Sequence, residues 1–375
     1  MSKEAQSRKL DEARRVMTIC NACRYCEGLC ATFQAMANRR AFSENDLDYL
    51  ANLCHNCTAC YFDCQYAPPH DFAVNVPRSL TALRRESYAK YAWPAWLARS
   101  FERNGLVVSL VTAATLSVVL LLALMLLDPG VLFGSHGGRG SFYAVIGHGV
   151  MVSVAAASFG FSIAALGVGA SRFWRAGRSP GVLRYRVSRG AWLRALRDVA
   201  TLTNLGGGNG EGCNDREDNF SNGRRYFHHA TMWGFLLCFA ATVVATIYHY
   251  GLGLVAPYPA LSAPVVLGSI GGIGLLVGPA GLAWIKHRSD PRPVLLRQQG
   301  MDYAFLALLF AVSLTGMLLL LLRTTPAMGL LLVVHLGCVL ALFITLPYGE
   351  FVHSTYRFAA LLRFAAEQRS GGGRQ

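Results

Sequence analysis

Six long apolar stretches constrain the fold of this chain more than any other feature of its sequence. They cover approximately residues 106–127, 142–169, 229–250, 263–285, 302–322 and 327–347. Each can cross a hydrocarbon layer of roughly 30 Å at about 1.5 Å per helical residue. Lipid offers the backbone no hydrogen-bond partner, so a spanning segment of this kind must be a helix. The sequence therefore predicts six transmembrane helices.

The fourth stretch is rich in glycine (VLGSIGGIGLLVGPAG). Helices in lipid tolerate glycine, and small residues let two helices approach closely. A single spanning helix is the main prediction for 263–285. Two shorter re-entrant segments are the alternative.

The basic residues indicate the orientation of these helices. The chain has a net charge of +14. Its linker 170–225 contains eleven Lys and Arg, whereas loops 128–141 and 251–262 contain one and none. Because cytoplasmic loops are enriched in Lys and Arg, we expect both termini in the cytoplasm of a bacterial inner-membrane protein. The basic excess beside apolar stretches also argues against nucleic-acid binding.

Eight of the eleven cysteines lie between residues 20 and 64, in the runs CNACRYCEGLC and CHNCTACYFDC. Both runs read C-x2-C-x2-C-x3-C, the spacing of two-cluster bacterial ferredoxins. The start MSKEAQSRKL has no apolar signal core, so we expect a reducing compartment, where dense cysteines bind metal more often than they pair. The sequence therefore predicts two [4Fe-4S] clusters in a head domain of residues 1–103, followed by a membrane domain of residues 104–375.

In this spacing three cysteines wrap one cube and the fourth is carried towards the other cube. We therefore assign one cluster to Cys20, Cys23, Cys26 and Cys64, and the other to Cys54, Cys57, Cys60 and Cys30. Zinc is the competing interpretation, but it binds four ligands, typically as two CxxC pairs.

Ala31 and Gln65 stand where bacterial ferredoxins usually have proline. With the helical pattern between the two runs, this favours an all-helical head, and His55 is expected to be a surface residue or a neighbour of the cluster ligands.

Histidines near the membrane indicate a haem. A histidine in hydrocarbon is costly and is a functional candidate by default, and a b-type haem is held by two axial histidines from facing helices. We expect an inner haem between His229 (or His228) and His353, and an outer haem between His249 and His335. His148 competes with His249 for the outer site, so one or two haems are predicted.

No catalytic constellation for an organic substrate is present: we find no P-loop, no GxGxxG on a strand and no paired carboxylates. Segment 206–223 (GGGNGEGCNDREDNFSNG) is expected to be a flexible loop, with Cys213 exposed to solvent. Contact between Cys213 and a cofactor is the alternative. The chain is thus predicted to handle electrons as an oxidoreductase subunit without its own substrate site.

Three blocks carry a resemblance to a known family: NVPRSLTALRRESYAKYAWP, RRYFHHATMWGFLLCFAATVVATIYHYG and HLGCVLALFITLPYGEFVHSTYRFAALL. They resemble the tricarballylate-utilisation protein B family, also called citrate-utilisation protein B. The membrane part is also similar in organisation to the gamma subunit of respiratory nitrate reductase. The resemblance implies an all-α membrane protein that reoxidises the FAD of a soluble dehydrogenase, such as tricarballylate dehydrogenase, which converts tricarballylate to cis-aconitate. The electrons would reach quinone through the clusters and haem.

Other functions remain open. The donor could be a different flavoenzyme, because a related fusion protein serves in cobalamin-ring synthesis. A tricarboxylate transporter is a second class, but a transporter does not need eight cluster cysteines, and the predicted spans lack arginine. A redox-sensing regulator is a third class, for which no output domain follows the cysteines.

Overall fold

The computed structural model describes residues 3–98, 105–178, 185–207, 210–216, 219–295 and 299–371. Within these ranges the chain is almost entirely helical, which confirms the all-α prediction. The described part contains a single two-stranded sheet. The predicted boundary between residues 103 and 104 lies outside the described residues.

The head is built from five helices around the cysteine loops. Two of its helices are amphipathic and begin at clear caps: the Ser43 side chain accepts from the Asp46 amide, and the Asn75 side chain from the Arg78 amide. The segment between the two cysteine runs forms two helices, as its pattern predicts. The head helices are α1 (Lys3–Cys23), α2 (Ala31–Ala37), α3 (Glu44–Leu53), α4 (Ala59–Phe62) and α5 (Val76–Tyr91).

Six helices are long and apolar enough to cross a membrane, as expected of a multi-pass membrane protein. Two very short helices, α7 (Pro129–Leu132) and α8 (Ser141–Val145), lie in the loop between the first two spans. The spanning helices are α6 (Leu106–Leu126), α9 (His148–Ala176), α11 (Gly223–Leu252), α12 (Ala263–Arg288), α13 (Gln299–Leu322) and α14 (Met328–Thr345).

Two of the spanning helices begin at residues other than the predicted approximate starts of their spans. The second begins at His148 instead of residue 142, because Ile146 is extended and separates α8 from α9. The third begins at Gly223 instead of residue 229. Its first turn carries Arg224 and Arg225, which bond to backbone carbonyls of the head and of the segment before the hairpin. The helix therefore begins before the apolar stretch, in a basic segment that is held by the head.

Glycine explains how the fourth span packs. Helix α12 is continuous through Pro279, as the single-helix prediction requires. A Cβ atom on Gly278 would lie 2.6 Å from the amide nitrogen of Thr231, and one on Gly234 would lie 2.8 Å from the carbonyl oxygen of Gly271. Helices α11 and α12 are in backbone contact at these positions, which only glycine permits.

Three further elements lie on the same side of the membrane helices as the head. Helix α10 (Arg189–Ala200) packs on the final helix α15 (Val352–Gly371), and a hairpin follows α10. The hairpin consists of β1 (Cys213–Arg216) and β2 (Asn219–Ser221), with Cys213 opposite Ser221. The expected loop at 206–223 is therefore partly an ordered hairpin.

The prediction that Cys213 is exposed is wrong. Its side chain is fully buried, packs against Cys57 and Met232, and its thiol donates to the Leu205 carbonyl at 3.4 Å. The reason is that β1 lies on the head: the Asn214 amide donates to the Cys57 carbonyl at 3.0 Å, and the Thr58 hydroxyl donates to the Asn214 carbonyl. Composition alone suggested a solvated loop.

A buried network of charges joins the head to α15. Arg39 lies 2.8 Å from Asp46 and 2.7 Å from Glu367, and Arg363 lies 3.1 Å and 2.8 Å from the same two carboxylates. The Tyr49 hydroxyl donates to Glu367 at 3.3 Å. Each charge has two partners, so the network holds α2 and α3 against the last helix.

We expect Glu367→Gln to destabilise the protein by about 3–5 kcal/mol, because it leaves Arg39 and Arg363 short of a buried counter-ion. Denaturant unfolding of the purified protein in detergent measures this. The matched control is Glu12→Gln, which removes an exposed pair with Arg15 and should cost at most ~1 kcal/mol. Equal losses in the two variants would contradict a structural role for the network.

Candidate metal centres

The first group of cysteines surrounds a cavity at the outer end of the head. Cys20 and Cys23 lie in the last turn of α1, Cys26 in the 3-10 turn that follows, and Cys64 in the loop after α4. The cavity has a volume of about 250 Å³, and Ile19, Phe33 and Val74 also line it. Cys23 is exposed to solvent. Four thiols around a partly apolar cavity are a donor set that suits an iron–sulfur cluster.

The second group lies deeper, around a narrower cavity. Cys30, Cys54, Cys57 and Cys60 line it together with His55. The loop that carries these cysteines bends sharply, because Asn56 and Thr58 adopt positive φ angles of 56° and 64°. The backbone amide of Asn214 on β1 bonds to this loop from outside.

The two cavities divide the eight cysteines into the same two sets of four as the crossed assignment, which stays a prediction. Among the thiols, Cys64 acts most on the pKa of Cys20 and Cys26, whereas Cys57 and Cys54 act most on that of Cys30. Burial, and then these neighbours, raise the pKa of Cys20, Cys26 and Cys30 to about 12. Thiolate formation therefore needs a bound cation, and metal binding would release protons.

No three His, Cys, Asp or Glu side chains in the described ranges converge as a site for one metal ion. The four cysteines of each group line one cavity.

One pair of histidines faces the head. The ring centroids of His228 on α11 and His353 on α15 are 6.1 Å apart, and the rings are perpendicular. One metal ion can bond to both rings at this separation, because two metal–nitrogen bonds of about 2 Å each and the two ring radii span a similar distance. His353 Nδ1 contacts the Glu350 carbonyl at 2.6 Å, which leaves Nε2 free for a metal. The buried Nδ1 of His228 has no hydrogen-bond partner in the described structure. The pair therefore fits an axially ligated haem.

The remaining predicted histidines are arranged differently from the expected pairs. His249 stacks on His148, with ring centroids 4.0 Å apart and planes 18° apart, and Tyr143 and Tyr250 pack against both rings. His335 instead contacts the Thr315 hydroxyl at 3.1 Å. His229 Nε2 lies 3.2 Å from the Thr201 carbonyl. The structure thus brings together His228 with His353 and His148 with His249, and separates His335 and His229 from them.

A large cavity lies between the head and the membrane helices and contains the His228–His353 pair. Its volume is about 470 Å³, within the range of cofactor sites. Phe235, Phe305 and Leu309 line its apolar part, and charged residues line the part next to the head. The cavity is thus amphipathic, as a haem with its propionates requires.

His55 connects the two deeper cavities. It lines both the cavity of the second cysteine group and the large cavity. Its Nδ1 contacts the Leu53 carbonyl at 2.8 Å, and burial together with Arg357 holds the pKa of His55 well below its ordinary value. A neutral imidazole therefore lies where the cavity of the second cysteine group adjoins the cavity of the histidine pair. Sequence reasoning treated His55 only as a neighbour of Cys54, and nothing in the sequence shows what faces its other side.

Three arginines near the cavity were also missed. Arg224 precedes His228 by one helical turn, Arg357 follows His353 by one turn, and Arg84 lies on α5. All three bond to backbone carbonyls of the head. The spacing of four between each arginine and its histidine was visible in the sequence and could have indicated a shared face.

Comparisons with known proteins agree with this architecture. Residues 100–373 match citrate utilization protein B, and residues 13–90 match the Fer4-like domain of citrate utilization protein B. A protein of Escherichia coli described as citrate utilization protein B is 47% identical over 364 residues, which cover 96% of this chain and 93% of that relative. The chain belongs to the citrate utilization protein B family. No solved structure gave a significant match.

Family membership confirms the resemblance inferred from the three sequence blocks. The Fer4-like match covers all eight cysteines of the head and indicates an iron–sulfur electron-transfer role. In this member of the citrate utilization protein B family, the cysteine head adjoins a cavity with facing histidines.

The expectation of no paired carboxylates is wrong, because Asp302 and Glu350, which are far apart in sequence, form a pair at the edge of the cavity. This pair provides a test by pH. Arg85 Nη2 lies 2.6 Å from Asp302 and 3.3 Å from Glu350, and Lys286 lies 2.5 Å from Asp302. Burial and the neighbouring Asp302 raise the pKa of Glu350 to about 7, although Arg85 opposes this. A carboxyl group whose pKa is higher in the folded state stabilises the folded protein fully at pH values below its ordinary pKa of 4.5. This stabilisation is lost as the pH rises through about 7.

We expect Glu350→Gln to flatten the decline in thermal stability between about pH 5 and pH 8, because the neutral amide has no proton to lose. Thermal unfolding in detergent across this range measures the effect. Asp128→Asn, in a loop between spans, serves as the control and should keep the wild-type decline. An unchanged slope in Glu350→Gln would show that Glu350 does not titrate in this range.

Proposed function

We propose that this protein is the membrane electron-transfer partner of an FAD-dependent dehydrogenase. It reoxidises the reduced FAD and passes electrons through two [4Fe-4S] clusters and a b-type haem to quinone. One observation carries the proposal: the cavity of the second cysteine group and the cavity that contains His228 and His353 adjoin each other, because His55, Asn56 and Thr58 line both.

The exposure of the two cysteine groups supports an order of transfer. The first group lies at the surface, where Cys23 is exposed and the neighbouring Tyr25 is 73% exposed. Cys54 of the second group is buried. A soluble donor can therefore approach the first cluster, and the second cluster lies between it and the membrane helices.

The histidines favour a single haem. His228 and His353 are the axial ligands in this proposal. The other close pair, His148 and His249, stacks at 4.0 Å, which is too close for a macrocycle between the rings. The outer haem between His249 and His335 is therefore not part of the proposal.

The overall reaction balances without an additional reactant. Reduced FAD releases two electrons and two protons, and quinone takes up two electrons and two protons to become quinol. The clusters supply one-electron carriers between these two-electron partners. Tricarballylate dehydrogenase, which forms cis-aconitate, is the proposed donor, and a flavoenzyme of cobalamin-ring oxidation is the alternative.

Orientation follows from the basic residues. The linkers on the head side contain most of the Lys and Arg between spans. In a bacterial inner membrane this places the head, both termini and the donor in the cytoplasm.

Transport of a tricarboxylate is the competing class. The cavity does contain cations, which the predicted spans lacked, but their hydrogen bonds go to backbone carbonyls and to carboxylates of this chain. Transport also leaves the two matched cysteine groups without a role.

The test is to replace His353 with alanine and to record visible spectra of the anaerobically purified protein. We expect the α band of b-type haem to disappear while the broad cluster absorbance remains, because only the haem loses a ligand. Quinone reduction by the reduced head should stop. The matched control is His229→Ala, an adjacent position on the partner helix that should keep the haem. A colourless wild-type protein would favour transport, and full haem in His353→Ala would show that other residues ligate it.

A further inference from the structure

Three arginines from three helices hold the loop that carries the second cysteine group. Arg84 Nη1 donates to the Cys54 carbonyl at 2.7 Å, and Arg357 Nη2 donates to the same oxygen at 3.0 Å. Arg224 Nη1 donates to the Asn56 carbonyl at 2.7 Å. The loop is therefore attached to α5, α11 and α15 at the same time.

Two of these arginines have no carboxylate partner within the described residues. Arg84 also donates to the Thr81 hydroxyl, and Arg357 is also placed to donate to the Asn52 carbonyl. Arg84 is only 8% exposed. Arg224, in contrast, lies 3.6 Å from Asp215. Neither Arg84 nor Arg357 forms an ion pair with a carboxylate in the described structure, although the charge of Arg84 acts on Glu350. Both positive charges therefore lie directly against the loop that carries Cys54, where they can act on an anionic group bound by it.

We propose that Arg84 and Arg357 raise the reduction potential of the second cluster above that of the first. This inference rests on the proposed function, because it takes the second cysteine group to bind a cluster. A cube held by four thiolates is negatively charged and becomes more negative when it accepts an electron. Positive charges in a weakly screened environment stabilise the reduced form, so they raise the potential.

The first cysteine group lacks comparable charges. Arg24 donates to the Asn21 carbonyl at 3.1 Å, but it is exposed, so solvent and salt screen its charge. The charged residue that acts most on Cys26 is Asp63, a carboxylate. A cluster at this position therefore has the lower potential, and an electron delivered at the surface moves inwards to the second cluster.

The positions of Arg357 and Arg224 connect the loop of the second cluster with the histidine pair. Each lies one helical turn from a histidine of the facing pair, His353 or His228. The same two helices therefore fix the loop of the second cluster and present the histidines. Arg84 and Arg357 are positioning residues, which act on the cluster through the Cys54 loop and through their charge.

The experiment is a redox titration of the anaerobically purified full-length protein, followed by electron paramagnetic resonance. The signal that disappears in Cys57→Ala identifies the second cluster. In Arg84→Gln and in Arg357→Gln we expect the reduced form of this cluster to be disfavoured about tenfold, a shift of about 59 mV to more negative potential for a one-electron couple. The first cluster should keep its potential. Arg357→Lys retains the charge and should remain near the wild-type potential, and Arg24→Gln is the control for a solvated arginine.

Each other outcome overturns the inference. Unchanged potentials in both glutamine variants would show that the charges do not act on the cluster. Equal shifts in Arg357→Lys and Arg357→Gln would show that only the hydrogen bond matters. If Arg357→Gln loses the second cluster altogether, the inference is tested on Arg84→Gln, which keeps the other two bonds to the loop. An unchanged potential of the second cluster in Arg84→Gln then overturns the inference. A wild-type protein without two cluster signals would instead contradict the proposed function itself.

Discussion

Guanidinium groups on α5, α11 and α15 bond to the backbone carbonyls of one loop of the head, the loop that carries Cys54 and Cys57. Backbone carbonyls do not move independently of the chain, so these bonds fix the loop more firmly than contacts between side chains would. The rest of the candidate site depends on this attachment. It determines which side of the head faces the membrane helices, and it brings His55 next to His228 and His353.

A second set of interactions acts at the other end of α15. The charge network of Arg39, Asp46, Arg363 and Glu367 holds this helix against α2 and α3. Helix α15 thus carries a histidine and an arginine of the cavity near its start and network residues near its end. Although α15 follows the last spanning helix, it packs against the head, and the head and membrane helices share one core.

Much of this arrangement could be predicted from local sequence. The cysteine spacing is a property of two short loops, and a spanning helix is a property of one apolar stretch, so both were recognisable without any knowledge of long-range contacts. The pairing of the histidines was not, because it depends on how helices rotate and pack. His249 was expected opposite His335 but stacks on His148. Cys213 was misjudged for the same reason, since only the docking of the hairpin on the Cys57 loop buries it.

The central claim is that the two cysteine groups hold iron–sulfur cubes. Its most direct test is the iron and acid-labile sulfide content of the full-length protein purified without oxygen. The account predicts about eight sulfides per chain, four for each of two clusters, with a similar amount of iron beyond that of the haem. A protein that contains zinc without sulfide, or no metal at all, would contradict it.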